Sequence, residues 1–175
     1  MVGLKSYGVY IPYFRLSRAE ISRSWGGFPA SGERAVANYD DDTITMAVAA
    51  CRDGLRGFDP QEIERLLLAS TTFPYGEKQS ASIVAAALDL KKEALTLDLS
   101  SSLRSGTTGV RLAFEAIRAG TSKNILVCAS DIRMGLPNGP RELEFGTPVS
   151  YMAVRLTRWC LTHSIHRFYI PLQVV

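Results

Sequence analysis

Two short stretches of this 175-residue chain hold residue types that could do chemistry. The first is the turn Ser101-Ser102-Leu103-Arg104-Ser105-Gly106-Thr107. It follows an alternating run in which Leu95, Leu97 and Leu99 are set against Thr96, Asp98 and Ser100, the two-residue period of a strand. It leads into a helical pattern whose start presents unpaired N–H groups and the positive end of a dipole, a place that favours an anion or a thiolate. Leu103, at the centre of the turn, has neither a nucleophile nor an ionisable proton. Ser101, Ser102 and Ser105 offer hydroxyls, but a serine nucleophile needs an adjacent base, and no histidine precedes them. The second stretch is Tyr75-Gly76-Glu77-Lys78-Gln79-Ser80. As a residue alone, Glu77 reads as an exposed acid at a helix start, stabilised by the dipole.

Other reactive side chains give weaker signals. His163 and His166 form H-x-x-H, but zinc needs three or four ligands, so no metal site is expected. Cys51 falls in an apolar helical pattern and Cys128 in an apolar strand run. With Cys160 they make three widely spaced cysteines, so Cys51 and Cys128 are read as reduced core residues. The chain has no Walker loop, G-x-G-x-x-G or G-x-S-x-G, which argues against nucleotide hydrolysis and α/β-hydrolase chemistry.

The elements that would hold these stretches alternate between strand and helix. Residues 2–11 have strand character. Ser17 and Glu20 have capping-box spacing for a helix from Arg18 to about Gly26-Gly27, and a polar loop follows through Asn38. Asp41 or Asp42 caps a second helix with Ile44, Val48, Cys51 and Leu55 on one face. Asp59-Pro60-Gln61-Glu62 opens a short turn with proline in its first positions. Residues 66–70 and 125–129 read as buried strands, and a helix is expected from about Lys78 to Leu88. In the helix after the turn, Val110, Ala113, Phe114 and Ile117 share a face while Leu112 and Ala116 make the opposite side apolar. That pattern predicts burial on all sides. The whole is an α/β layered fold, a mixed sheet with packed helices.

Composition sets the class. An apolar share of 46% and a charged share of 21% fit a soluble globular domain, with no apolar run of transmembrane length and no signal-peptide pattern, so a cytoplasmic location is expected. The net charge of +3 lies entirely beyond Glu144, the last acid, where Arg155, Arg158 and Arg167 stand alone. The balanced body argues against a nucleic-acid surface.

The turn at 101–107 resembles the nucleophile turn of the thiolase superfamily, most closely 3-hydroxy-3-methylglutaryl-CoA synthase in its archaeal and bacterial form. There the turn reads roughly S-S-C-R/K-A-G-T, and its cysteine becomes the acyl-thioester. SYGVYIP, YDDDTITMAVAACRDGL, FPYGEKQSASIVAAAL and KNILVCASDIR resemble further family blocks in matching order, giving five blocks over about 145 residues. The resemblance implies a thiolase-like layered fold of which this chain is the N-terminal half only. It places Glu77 at the family's catalytic acid/base, suited to taking a proton from carbon in a Claisen-type condensation. It places Leu103 at the nucleophilic cysteine, where leucine is expected to fill the acyl pocket. The family histidine belongs to the second half. Arg104 would lie near a CoA phosphate or pair with an acid. Ketoacyl-ACP synthase III is a related alternative, which the Glu77 block disfavours.

The resemblance implies acetyl-CoA and acetoacetyl-CoA as substrates and no resident cofactor. Partners expected from it are an acyl-CoA and a second copy of the chain, with no nucleic acid or membrane. Residues 1–146 form the thiolase-like domain. Residues 147–175 are read as a divergent C-terminal tail, an out-of-frame or otherwise altered terminus. A non-catalytic acyl-CoA-binding or dimerising pseudoenzyme or fragment is the alternative to an active condensing enzyme.

Overall fold

The computed structural model describes residues 2–27, 30–133, 135–139, 142 and 151–158. A five-stranded sheet is built from β1 (Val2–Tyr10), β4 (Arg65–Ala69), β5 (Leu95–Leu99), β6 (Asn124–Ala129) and β7 (Tyr151–Arg158), in the order β1-β7-β6-β4-β5. A separate antiparallel pair joins β2 (Phe14–Ser17) to β3 (Glu33–Val36). The helices are α1 (Arg18–Ser24), α2 (Thr43–Gly54), α3 (Ser80–Ala87) and α4 (Ser105–Arg118). Strands β6, β4 and β5 run parallel, while β7 is antiparallel to both of its neighbours. The expected mixed sheet with packed helices is what forms.

The continuous apolar runs of β4 and β6 are explained by burial on both faces. Leu66, Leu68, Leu126 and Cys128 point into one cluster with α2 and α3, through Met46, Ala47, Ala50, Cys51, Ala81 and Val84. Leu67, Ile125 and Val127 point the other way, against Ala113 and Ile117 of α4. Strand β5 lies at the sheet edge and keeps its alternation. Leu99 packs on the α4 side, while Thr96 and Asp98 bond the entry to α3. Helix α2 begins as expected at an acid cap. The Asp42 carboxylate accepts from Thr45 N at 2.7 Å, and the Thr45 hydroxyl accepts from Asp42 N at 2.7 Å.

Several expectations are corrected. Ser17 makes no capping bond to α1; Glu20 instead pairs with Arg23 of the same helix at 2.9 Å, an exposed i,i+3 contact within reach of a long side chain. The stretch expected to be a loop through Asn38 contains β3, because β2 supplies a partner that local composition does not reveal. Helix α3 starts at Ser80 rather than Lys78. Helix α4 buries only the stripe Ser105, Gly109, Ala113 and Ile117, with Leu112 left 39% exposed. One sheet face can cover one stripe of a helix, and among the described residues nothing lies on its other side.

Tyr151–Arg158, from the segment read as a divergent tail, is inserted between β1 and β6. Leu156 in this strand is buried against Ile125 and Ile117. The sheet thus takes its last strand from beyond residue 146.

Candidate functional site

Three loops begin side by side at the carboxyl ends of the parallel strands. Ser70, after β4, donates its N–H to Leu99 O at 3.0 Å, and Ser130, after β6, donates to Ala69 O at 3.0 Å. The loops after β4, β5 and β6 therefore open at one edge, where ligands of open α/β sheets bind. The β4 loop carries Glu77 and the β5 loop carries Leu103, so parallel pairing brings both sequence-identified positions to the same end of the sheet.

The turn that holds Leu103 is closed by its own serines. Ser101 adopts a φ of 74°, the left-handed region that reverses the chain. Ser105 Oγ donates to Ser102 O at 2.7 Å and to Ser100 O at 3.1 Å, and Ser102 Oγ accepts from Arg104 N at 3.1 Å. Ser102 and Ser105 are thus engaged in shaping the turn. Gly109 lets α4 lie close to the sheet, since a β-carbon there would sit 3.0 Å from Leu99 Cδ1 and 3.1 Å from Val127 Cγ1. Leu103 stands just before α4 and is 72% exposed, so it fills no pocket formed by the described residues. Arg104 makes no ion pair with them, contrary to one of its two expected roles.

Glu77 is exposed in the β4–α3 loop and does not sit on the helix start. That place is taken by Asp98. Its Oδ2 accepts from Ser80 N and its Oδ1 from Ala81 N, each at 2.7 Å, so a strand carboxylate neutralises the α3 N-terminus. Gln79 Nε2 donates to Thr96 O at 2.9 Å and Gln79 Oε1 accepts from Thr96 Oγ1 at 2.7 Å, pinning the same end. At the other end of the loop, Asp131 Oδ1 accepts from Thr71 N at 2.6 Å, from Ser70 Oγ and Thr71 Oγ1 at 3.0 Å each, and from Thr72 Oγ1 at 3.2 Å. The segment bearing Glu77 is therefore tethered at both ends by aspartates that sequence reasoning missed. The one available signal was an acid at the end of each apolar strand run.

His163, His166, Cys160 and Phe145-Gly146 lie outside the described residues. Among the described residues no group of three or more His, Cys, Asp or Glu could hold a metal ion, and no helix is long and apolar enough to cross a membrane.

No protein-family model matches the chain. Hydroxymethylglutaryl-CoA synthase of Methanocaldococcus jannaschii is 34% identical over 151 residues, covering 81% of this chain and 44% of the relative. Among solved structures, MvaS in complex with 3-hydroxy-3-methylglutaryl coenzyme A aligns with a TM-score of 0.81 and 26% identity, over 89% of this chain and 40% of that one. The 3-oxoacyl-[acyl-carrier-protein] synthase III of Aquifex aeolicus aligns with a TM-score of 0.72 at 22% identity, over 91% of this chain and 54% of its own, a likeness of fold.

The mixed sheet, the turn leading into α4 and these likenesses define a chain of the thiolase superfamily. Within that superfamily it is hydroxymethylglutaryl-CoA synthase-like, resembling the N-terminal half of that enzyme. The chain spans 44% of the length of the Methanocaldococcus jannaschii relative and 40% of MvaS.

Proposed function

We propose that this chain is the nucleophile-turn half of an acyl-CoA condensing scaffold of the hydroxymethylglutaryl-CoA synthase type, which joins acetyl and acetoacetyl units toward isoprenoid precursors. The observation that supports the reading is that the loops after β4 and β5, which carry positions 77 and 103, both leave the carboxyl end of the same parallel strands. Within this reading Glu77 keeps the place of the general acid/base. Leu103 occupies the place of the thiol, so no acyl-enzyme forms on this chain as it stands. Loss of a covalent step removes many orders of magnitude in rate, and ordinary turnover by the chain alone is not expected. A cytoplasmic location belongs to the same proposal.

The second reading, a non-catalytic acyl-CoA-binding or dimerising protein, is favoured by the leucine itself and by the open side of α4. Incubation with radiolabelled acetyl-CoA followed by denaturation separates the two. The chain as it stands is expected to retain no label, and Leu103→Cys is expected to acquire one. Stable label on the unaltered chain would refute the inert turn. A Leu103→Cys chain that is folded, binds CoA and stays unlabelled would favour the binding module.

A further inference from the structure

A pair of thiols lies on the opposite side of the sheet from α4, in the cluster that seats α2. Cys51 on α2 and Cys128 on β6 are free and wholly buried. Both belong to the same cluster of buried side chains. Cys128 Sγ also lies 3.9 Å from the carbonyl oxygen of Ala47, one turn before Cys51, so the strand's side chain reaches the helix backbone. This close approach has a visible cause. The buried residues of α2 include Ala47, Ala50, Cys51 and Gly54, and Gly54 is packed against the backbone of Gly8 in β1. Small residues let the helix down onto the sheet, shortening the gap a cross-link must span, which for a disulfide is roughly 4.4–6.8 Å between Cα atoms.

We propose that Cys51 and Cys128 form a disulfide-bonding pair that a peroxide-class oxidant closes into a covalent link between α2 and β6. One sulfur, as thiolate, attacks a peroxide oxygen; the O–O bond breaks, a water leaves and a sulfenic acid remains. The second sulfur attacks the first, the S–S bond forms, the S–O bond breaks and a second water leaves. Two thiols are oxidised and one peroxide is reduced to two waters. Full burial keeps both thiols away from the oxidant, so closure proceeds through openings of α2 and is slow in the folded chain. The link closes a long loop and restricts the unfolded chain. The proposal is independent of any acyl-CoA chemistry at the other edge.

The test uses the full chain carrying Cys160→Ser, treated with hydrogen peroxide, denatured and alkylated with N-ethylmaleimide. The expected product is lighter by two hydrogen atoms, unalkylated at both positions and joined as one cross-linked tryptic pair. Dithiothreitol reverses it, and its urea midpoint lies above that of the reduced chain. Cys51→Ala and Cys128→Ala are each expected to leave the remaining cysteine open to alkylation. Full alkylation of both cysteines after exhaustive oxidation, sulfinic acid in place of the link, or an oxidised form with a lower midpoint overturns the proposal.

Discussion

Asp98, on the edge strand β5, accepts the Ser80 amide at the start of α3 at 2.7 Å, and its second oxygen accepts from Ala81. One half-buried carboxylate thereby joins the strand that ends at the Leu103 turn to the helix that ends the Glu77 loop. Asp98→Ala removes two charge-assisted bonds and is expected to cost about 2 kcal/mol. Urea unfolding measures the loss. Amide exchange should quicken at Ser80 and Ala81 while the amides of α2 keep their protection relative to global stability; uniform quickening would show that the cap has no local role.

Gly8 and Gly54 set a second limit. A β-carbon on Gly8 would lie 2.7 Å from Gly54 Cα and closer still to Gly54 N and the Ala50 carbonyl oxygen. Backbone atoms cannot swing aside, so Gly8→Ala is expected to destabilise by about 3 kcal/mol or more. Gly54→Ala is gentler, because its β-carbon would come no closer than 3.1 Å, to Gly8 N. Equal midpoints for the two variants in chemical denaturation would contradict this asymmetry.

Alkaline pH should weaken the fold through two groups. Tyr10 is pushed above its usual value of 10.0 by partial burial, then by the charge of Asp41 and its hydrogen bond to that carboxylate. Cys51 is pushed well above 9.0 by its hydrogen bond to Cys128, then by burial. In each case the folded chain holds a proton that the unfolded chain releases. The stabilisation is full below the unfolded pKa and is lost as pH rises through the folded one. Urea midpoints should fall from about pH 9 upward. Tyr10→Phe should flatten the part of that fall above pH 10; an unchanged slope would remove Tyr10 from the account.

The α4 side of the sheet is only partly covered. Leu95 is 48% exposed and Leu97 38%, and with Leu112 they border an open groove of about 370 Å³ floored by Leu67 and Ile125. Contiguous apolar exposure of this kind drives association. The chain is expected to sediment as a homodimer or larger species, and Leu97→Lys and Leu112→Lys to shift it toward monomer. A concentration-independent monomer in sedimentation would count against the self-association reading.

What could be read from the chain was whatever depends on near neighbours. Leu66–Ala69 and Ile125–Ala129 had to be interior strands, because apolar runs of that length have nowhere else to go. Asp42 had to cap α2, because its partner Thr45 is three residues away. The turn at 101–107 could be recognised by its resemblance to a family motif, and its hydrogen bonds close within five residues.

Contacts between distant segments decided the rest. Asp98 displaces Glu77 from the α3 start, since pairing of β4 with β5 brings that carboxylate across the sheet edge. The lone stripe of α4 and the exposure of Leu103 depend on what lies opposite, which periodicity does not report. Strand β3 owes its existence to β2, and Tyr151–Arg158 its central place to the open edges of β1 and β6. A side chain's type fixes what it can bond, but only the folded chain determines which partner arrives.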